Sequence, residues 1–115
     1  MTLLRPETVA ASPLTPCLRG GSAYLAVYNA VQAQPGLIHG RLDNETGEHC
    51  AIGSYFALPK PVCLPSEFID EVAAINDSAP TVTTRQRRLM VLRWLRWKLG
   101  TLGMPGFVAA ARTAP

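Results

Sequence analysis

His39, His49, Cys50 and Cys63 are the residues whose types invite metal or thiol chemistry. A transition-metal site usually brings its ligands in close pairs, because a short loop then fixes the coordination angle. The chain has no C-x-x-C and no H-x-x-x-H pair. His49 and Cys50 are adjacent, and on a strand adjacent side chains point to opposite faces. No metal site and no cofactor is therefore expected. A thiol enzyme would need Cys50 as nucleophile and His39 as its base, brought together across a turn at residues 43–47. The structural account of Cys50 is a small buried apolar residue. Asp43, Glu45 and Glu48 lie in or beside that turn, where acidic and amide side chains serve the backbone, so no acid–base carboxylate pair stands out. No phosphate-binding glycine loop and no G-x-S-x-G elbow occurs. Gly20-Gly21 before a helix could offer amides to an anion, but a two-glycine hinge is the more ordinary account of the pair.

Charge gathers in one stretch. Residues 85–99 hold six of the eleven basic residues, so the remainder has five basic and eight acidic residues. Wound as a helix, this stretch has two apolar stripes. Val91, Leu92, Leu95 and Leu99 form an aliphatic one, assigned to the core. Met90, Trp94 and Trp97 form another, spaced i, i+4, i+7. Arg87 and Lys98 separate them on one side, and Arg85, Arg93 and Arg96, with Leu89 among them, on the other. Arg87, Met90, Arg93, Trp94, Arg96, Trp97 and Lys98 are the candidate binding residues. Tryptophan and arginine are frequent at interface hot spots. The same set suits nucleic acid, with cations on phosphates and indoles on bases. In the structural account both tryptophans complete the core and the arginines meet Glu67, Asp70 and Glu71 or water. A membrane-surface role is disfavoured, because the aliphatic stripe is needed for folding.

The elements that would position these residues read as follows. Residues 1–20 form an irregular arm with three prolines. Ser22 caps a helix over Ala23–Gln34, apolar nearly all round and so enclosed on several sides. Pro35-Gly36 ends it. Leu37–Leu42 and Glu48–Phe56 read as the arms of a β-hairpin around Asp43–Gly47. Gly40 and Gly53 in those arms signal close approach of another backbone or a bulge. Pro65 opens a helix over Pro65–Ile75, and Asn76 closes it. Thr83 or Thr84 caps the basic helix, Arg85–Leu99, which Gly100 and Gly103 stop. The expected fold is α+β, a small α+β domain of helix–β-hairpin–helix–helix order over 21–103, with an N-terminal arm over 1–20 and a flexible C-terminal tail over 104–115. Its core should hold Tyr24, Leu25, Tyr28, Val31, Phe68, Ile69, Val72, Val91, Leu92 and Leu95.

The 115 residues suit one domain, and 48% apolar against 17% charged residues provide for a core. No run approaches the roughly 18 uninterrupted apolar residues of a membrane span. Arg5, Pro6, Glu7, Pro13 and Pro16 leave no room for a secretory leader's apolar stretch. The three cysteines, an odd count, point to reduced thiols and a cytoplasmic location, with a Cys50–Cys63 bridge left open.

Glu48-His49-Cys50-Ala51-Ile52-Gly53-Ser54, followed by Ile75-Asn76-Asp77 and a threonine-capped helix, resembles a family of small actinobacterial and phage proteins of no assigned activity. Their motifs read G-x-x-C-A-x-G-A and then W-N-D-x-P-x-x-T. The resemblance covers about residues 45–99. Ser54 stands for the family's Ala and Ile75 for its Trp, and the step from Asn76-Asp77 to Thr84 is longer. The resemblance implies the same element order and a mobile-element origin. The expected function is that of a non-enzymatic binding or accessory protein, acting through the basic helix on another protein or on its own copy. A nucleic-acid-binding module using that helix and a small thiol enzyme centred on Cys50 are the alternatives.

Overall fold

A computed structural model describes residues 16–112. It consists of four helices, α1 (Gly20–Gln32), α2 (Ala51–Phe56), α3 (Ser66–Asn76) and α4 (Thr84–Thr101), followed by a 3-10 turn over Val108–Arg112. No sheet is present among the described residues. The α+β expectation is therefore overturned: this is an α-helical domain, and the hairpin does not form.

The reason lies in residues 37–56. Their turn forms much as its composition requires. The Asn44 side chain accepts from the amides of Thr46 and Glu48, at 3.1 and 3.0 Å, and Gly47 takes a left-handed conformation with φ 82°. What remains of a ladder is a single antiparallel bridge between Asp43 and His49. Beyond it, Ala51, Ile52, Gly53, Ser54 and Tyr55 are all buried. A strand in a two-stranded hairpin alternates its faces and cannot bury five successive side chains. A one-and-a-half-turn helix surrounded on several sides can. Cys50 starts that helix, with its sulfur accepting from the Gly53 amide at 3.2 Å, and the Ser54 hydroxyl donates to the Cys50 carbonyl at 2.8 Å. Gly53 does mark a close approach: a Cβ there would overlap the Leu42 carbonyl.

α1 is the central element and packs against both α2 and α4. It begins at Gly20, two residues before the expected Ser22 cap, and Arg19 at its N-cap supplies no side-chain bond. Ala23, Tyr24, Val27, Tyr28, Ala30 and Val31 are buried along it, so its nearly uniform apolar surface is indeed enclosed. α3 opens at Ser66 after Pro65, whose fixed φ suits a helix entrance. Asn76 does not act as a left-handed terminator: it is the last helical residue and is fully buried.

α4 has the strongest start signal. Thr83 and Gln86 form a reciprocal capping box, with bonds of 2.9 and 3.1 Å. Its aliphatic stripe Val91, Leu92, Leu95 and Leu99 is buried, as its spacing dictates. Of the expected core, Leu25 and Ile69 lie at the margin and the other eight residues are buried. Leu37 and Leu64 join them, together with α2. After α4 the chain folds back on it. Gly100 permits the approach, since a Cβ there would overlap the Phe107 carbonyl, and Phe107 meets Tyr28 edge-on at 5.3 Å.

The cysteines also depart from expectation. Cys17 and Cys63 are paired in a disulfide, and Cys50 is the free, buried one. A cysteine count constrains connectivity only weakly, because pairing depends on which loops meet in space. No helix among the described residues is long and apolar enough to cross a membrane.

Candidate functional site

Five of the seven candidate residues of α4 fall in three separate places, and Arg96 and Trp97 lie outside all three. Arg87 is in the core. It is 2% exposed, and its guanidinium donates to the Asn76 carbonyl and, at 2.8 Å, to the Ala79 carbonyl. Those carbonyls lie at and just beyond the C-terminus of α3, the negative end of its dipole. Arg87 thus fastens α3 to α4 and is not available to a partner. Its neighbour Arg88 has a similar task, donating to the Gln32 carbonyl at the end of α1 at 3.0 Å.

Lys98 belongs to a second place, the groove between α1, α3 and α4. Its ammonium lies 3.4 Å from Glu71 and 5.6 Å from the centroid of the Tyr24 ring. The Tyr24 hydroxyl donates to the same Glu71 carboxylate. Burial first, then that bond and the negative charge of Glu71, push the Tyr24 hydroxyl well above the ordinary phenol range. Arg19, Gly20, Pro65, Phe68 and Leu102 line the rest of this groove, whose volume is about 700 Å³.

Met90, Arg93 and Trp94 come together at a third place, where α4 crosses the end of α3. With Leu89, Ile75 and Ser78 they line a depression of about 370 Å³. Met90 and Trp94 rest their inner sides on the core, and Trp94 meets Tyr24 edge-on at 6.0 Å. Leu89 projects, 55% exposed, beside them. Arg93 and Arg96 are exposed and Trp97 is half-buried further along the helix. The Met–Trp stripe is therefore both core margin and surface. Sequence reasoning missed Leu89, Ile75 and Ser78. The signal for Leu89 was an apolar side chain set among arginines on the outer face. Ile75 and Ser78 gave none, because only the packing of α3 on α4 brings them there.

The Cys50 region is structural in geometry. The thiol is buried and pushed above its ordinary pKa, chiefly by burial, with backbone amides of Gly53 and Ile52 opposing in part. Among the described residues no hydrogen bond joins it to His39, which is exposed. A buried thiol with little thiolate is a poor nucleophile. The two stretches that carry the family resemblance meet here. Asn76 accepts from the Ala51 amide at 3.0 Å and donates to the Ile38 carbonyl at 2.9 Å, and Asp77 accepts from the Gly40 amide at 3.0 Å. Among the described residues no group of three or more His, Cys, Asp or Glu is placed to hold a metal ion.

Fold and surface together define a small helical protein with an apolar depression on a basic helix. No family model, no curated protein and no solved structure matches the chain.

Proposed function

We propose that this is a non-enzymatic binding protein, cytoplasmic and of mobile-element origin, that receives a protein partner on the outer face of α4. The observation that carries the reading is the depression between α3 and α4: an exposed Leu89 beside Met90 and Trp94, with Arg93 at its edge and Arg96 one turn on. Such a surface fits a partner segment that presents an apolar side chain flanked by carboxylates. The apolar contact would supply affinity, and the arginines orientation and encounter rate.

The arrangement favours protein over nucleic acid. Of the six basic residues in this stretch, Arg87 is buried, Arg88 is tied to α1 and Lys98 is partly neutralised by Glu71. Only Arg85, Arg93 and Arg96 are exposed on the helix, a short list for phosphate binding. The buried thiol of Cys50 likewise gives the thiol-enzyme reading no support.

The test is salt and charge reversal. The partner captured by the full chain should stay bound at moderate salt, and Arg93→Glu with Arg96→Glu should slow its association more than it speeds its release. A complex that weakens by orders of magnitude between low and physiological salt would indicate nucleic acid and overturn the reading.

A further inference from the structure

We propose that Cys17 and Cys63 form a reversible oxidation site, whose disulfide closes the Arg19–Pro65 end of the groove holding Tyr24, Glu71 and Lys98. The proposal rests on the cytoplasmic location proposed above, since disulfides in that compartment are usually transient and redox-responsive.

The argument begins with placement. The bond joins two segments distant in sequence, 46 residues apart, at the entrances of α1 and α3. The Leu18 amide donates to the Cys63 carbonyl at 2.9 Å, so the same crossing carries a backbone bond. Arg19 and Gly20 follow Cys17 by two and three residues, and Pro65 follows Cys63 by two. All three line the groove. The disulfide therefore ties the two sides of that wall together, beside the Leu18–Cys63 backbone bond. Beyond Gly20 the chain is fixed independently, because α1 is packed along its buried face. Among the described residues, only Leu18 and Arg19 lie between the bond and α1, and they end at the groove.

Access and selectivity support exchange at this pair. Cys63 is exposed and Cys17 half-exposed, so a small disulfide can reach them. Cys50 is buried with its thiol pushed up, and it stays out of the exchange. The step balances with a low-molecular-weight disulfide as oxidant. The Cys63 thiolate attacks one sulfur of the reagent, forming a mixed disulfide and releasing a thiolate. The Cys17 thiolate then attacks the Cys63 sulfur and releases the second. Two protein thiols lose two electrons and two protons, and the reagent leaves as two thiols.

The experiment has two arms on the full chain. In the first, expressing cells are acid-quenched and alkylated before and after a pulse of a permeant disulfide-forming oxidant, and the labelled cysteines are counted by mass. The expected result is Cys17 and Cys63 both reduced before and both oxidised after. A pair oxidised throughout, or reduced throughout, overturns the proposal. In the second, purified protein is equilibrated in oxidised or reduced glutathione and its amide exchange is compared. Leu18 should exchange about tenfold faster when reduced, while Val91 and Leu95 in α4 stay unchanged. Equal Leu18 exchange in the two states overturns the proposal, as does a Cys17→Ser, Cys63→Ser chain that behaves like the oxidised form. Neither arm involves the outer face of α4, so its failure is separate from failure of the binding reading.

Discussion

Arg87 and Asn76 are joined back to front: the guanidinium donates to the backbone carbonyl of Asn76, while the carboxamide of the same asparagine turns away to Ala51 and Ile38. One buried residue at the end of α3 therefore ties together α2, the loop before it, α3 and α4. The Asn76 side chain, the Arg87 guanidinium and the Ala51 amide are buried, so each requires its partner.

Asn76→Ala should leave the buried Ala51 amide and the part-buried Ile38 carbonyl without their side-chain partner. Each loss costs about 1–3 kcal/mol, so a total near 3 kcal/mol is expected. Asn76→Asp should be at least as harmful, because the two amide donors vanish and a charge is buried next to Asp77. Urea unfolding measures both. A loss under about half a kcal/mol for Asn76→Ala, the range of ordinary surface changes, would show that the junction is not structural.

Arg87 separates scaffold from surface within one helix. Arg87→Ala should destabilise by about 3 kcal/mol, since bonds from a charged donor to two carbonyls are lost together. Arg87→Lys should recover only part, because an ammonium cannot reproduce the fork. Arg96→Ala, on an exposed side chain, should stay within about half a kcal/mol. Thermal unfolding of the three variants side by side checks the contrast, and equal effects of Arg87→Ala and Arg96→Ala would refute it.

The three long helices were legible in the sequence because local signals agreed with packing. Thr83 before a basic amphipathic run, Pro65 before Ser66, and the aliphatic spacing of Val91, Leu92, Leu95 and Leu99 each say the same thing at two levels. Residues 48–56 were not legible. Ile52, Tyr55 and Phe56 are as compatible with a strand as with a helix, and the decision came from neighbours far along the chain that enclose all of Ala51–Tyr55. Arg87 was misplaced for a related reason. A helical wheel sets it between two apolar stripes, and only the carbonyls of Asn76 and Ala79 explain why it turns inward. The candidate surface was half legible: Met90, Arg93 and Trp94 share a face by spacing, whereas Ile75 and Ser78 arrive from another helix.

Two buried acids set the alkaline limit. Cys50 and Tyr24 both have raised pKa values in the folded protein, each through burial first. The folded state holds their protons more tightly than the unfolded one. Their contribution to stability is thus complete below the ordinary thiol and phenol values, and is lost as pH rises through the raised ones. The urea midpoint should fall on the alkaline side, beginning past the ordinary thiol range. Alkylation of Cys50 at neutral pH should be slow until the chain is unfolded. Rapid labelling of Cys50 in native protein below neutral pH would contradict this assignment and revive the thiol-enzyme reading.

The most direct measurement of the binding face is nuclease-treated capture from host lysate, compared between the native chain and Leu89→Glu. Leu89 is exposed at the depression, so the substitution should leave thermal unfolding nearly unchanged while placing a charge where the partner's apolar side chain would sit. The account predicts the same protein partner, or a second copy of this chain, retained by the native protein after nuclease and lost with Leu89→Glu. A partner that disappears with nuclease, or one that Leu89→Glu holds as firmly as the native chain, would contradict it.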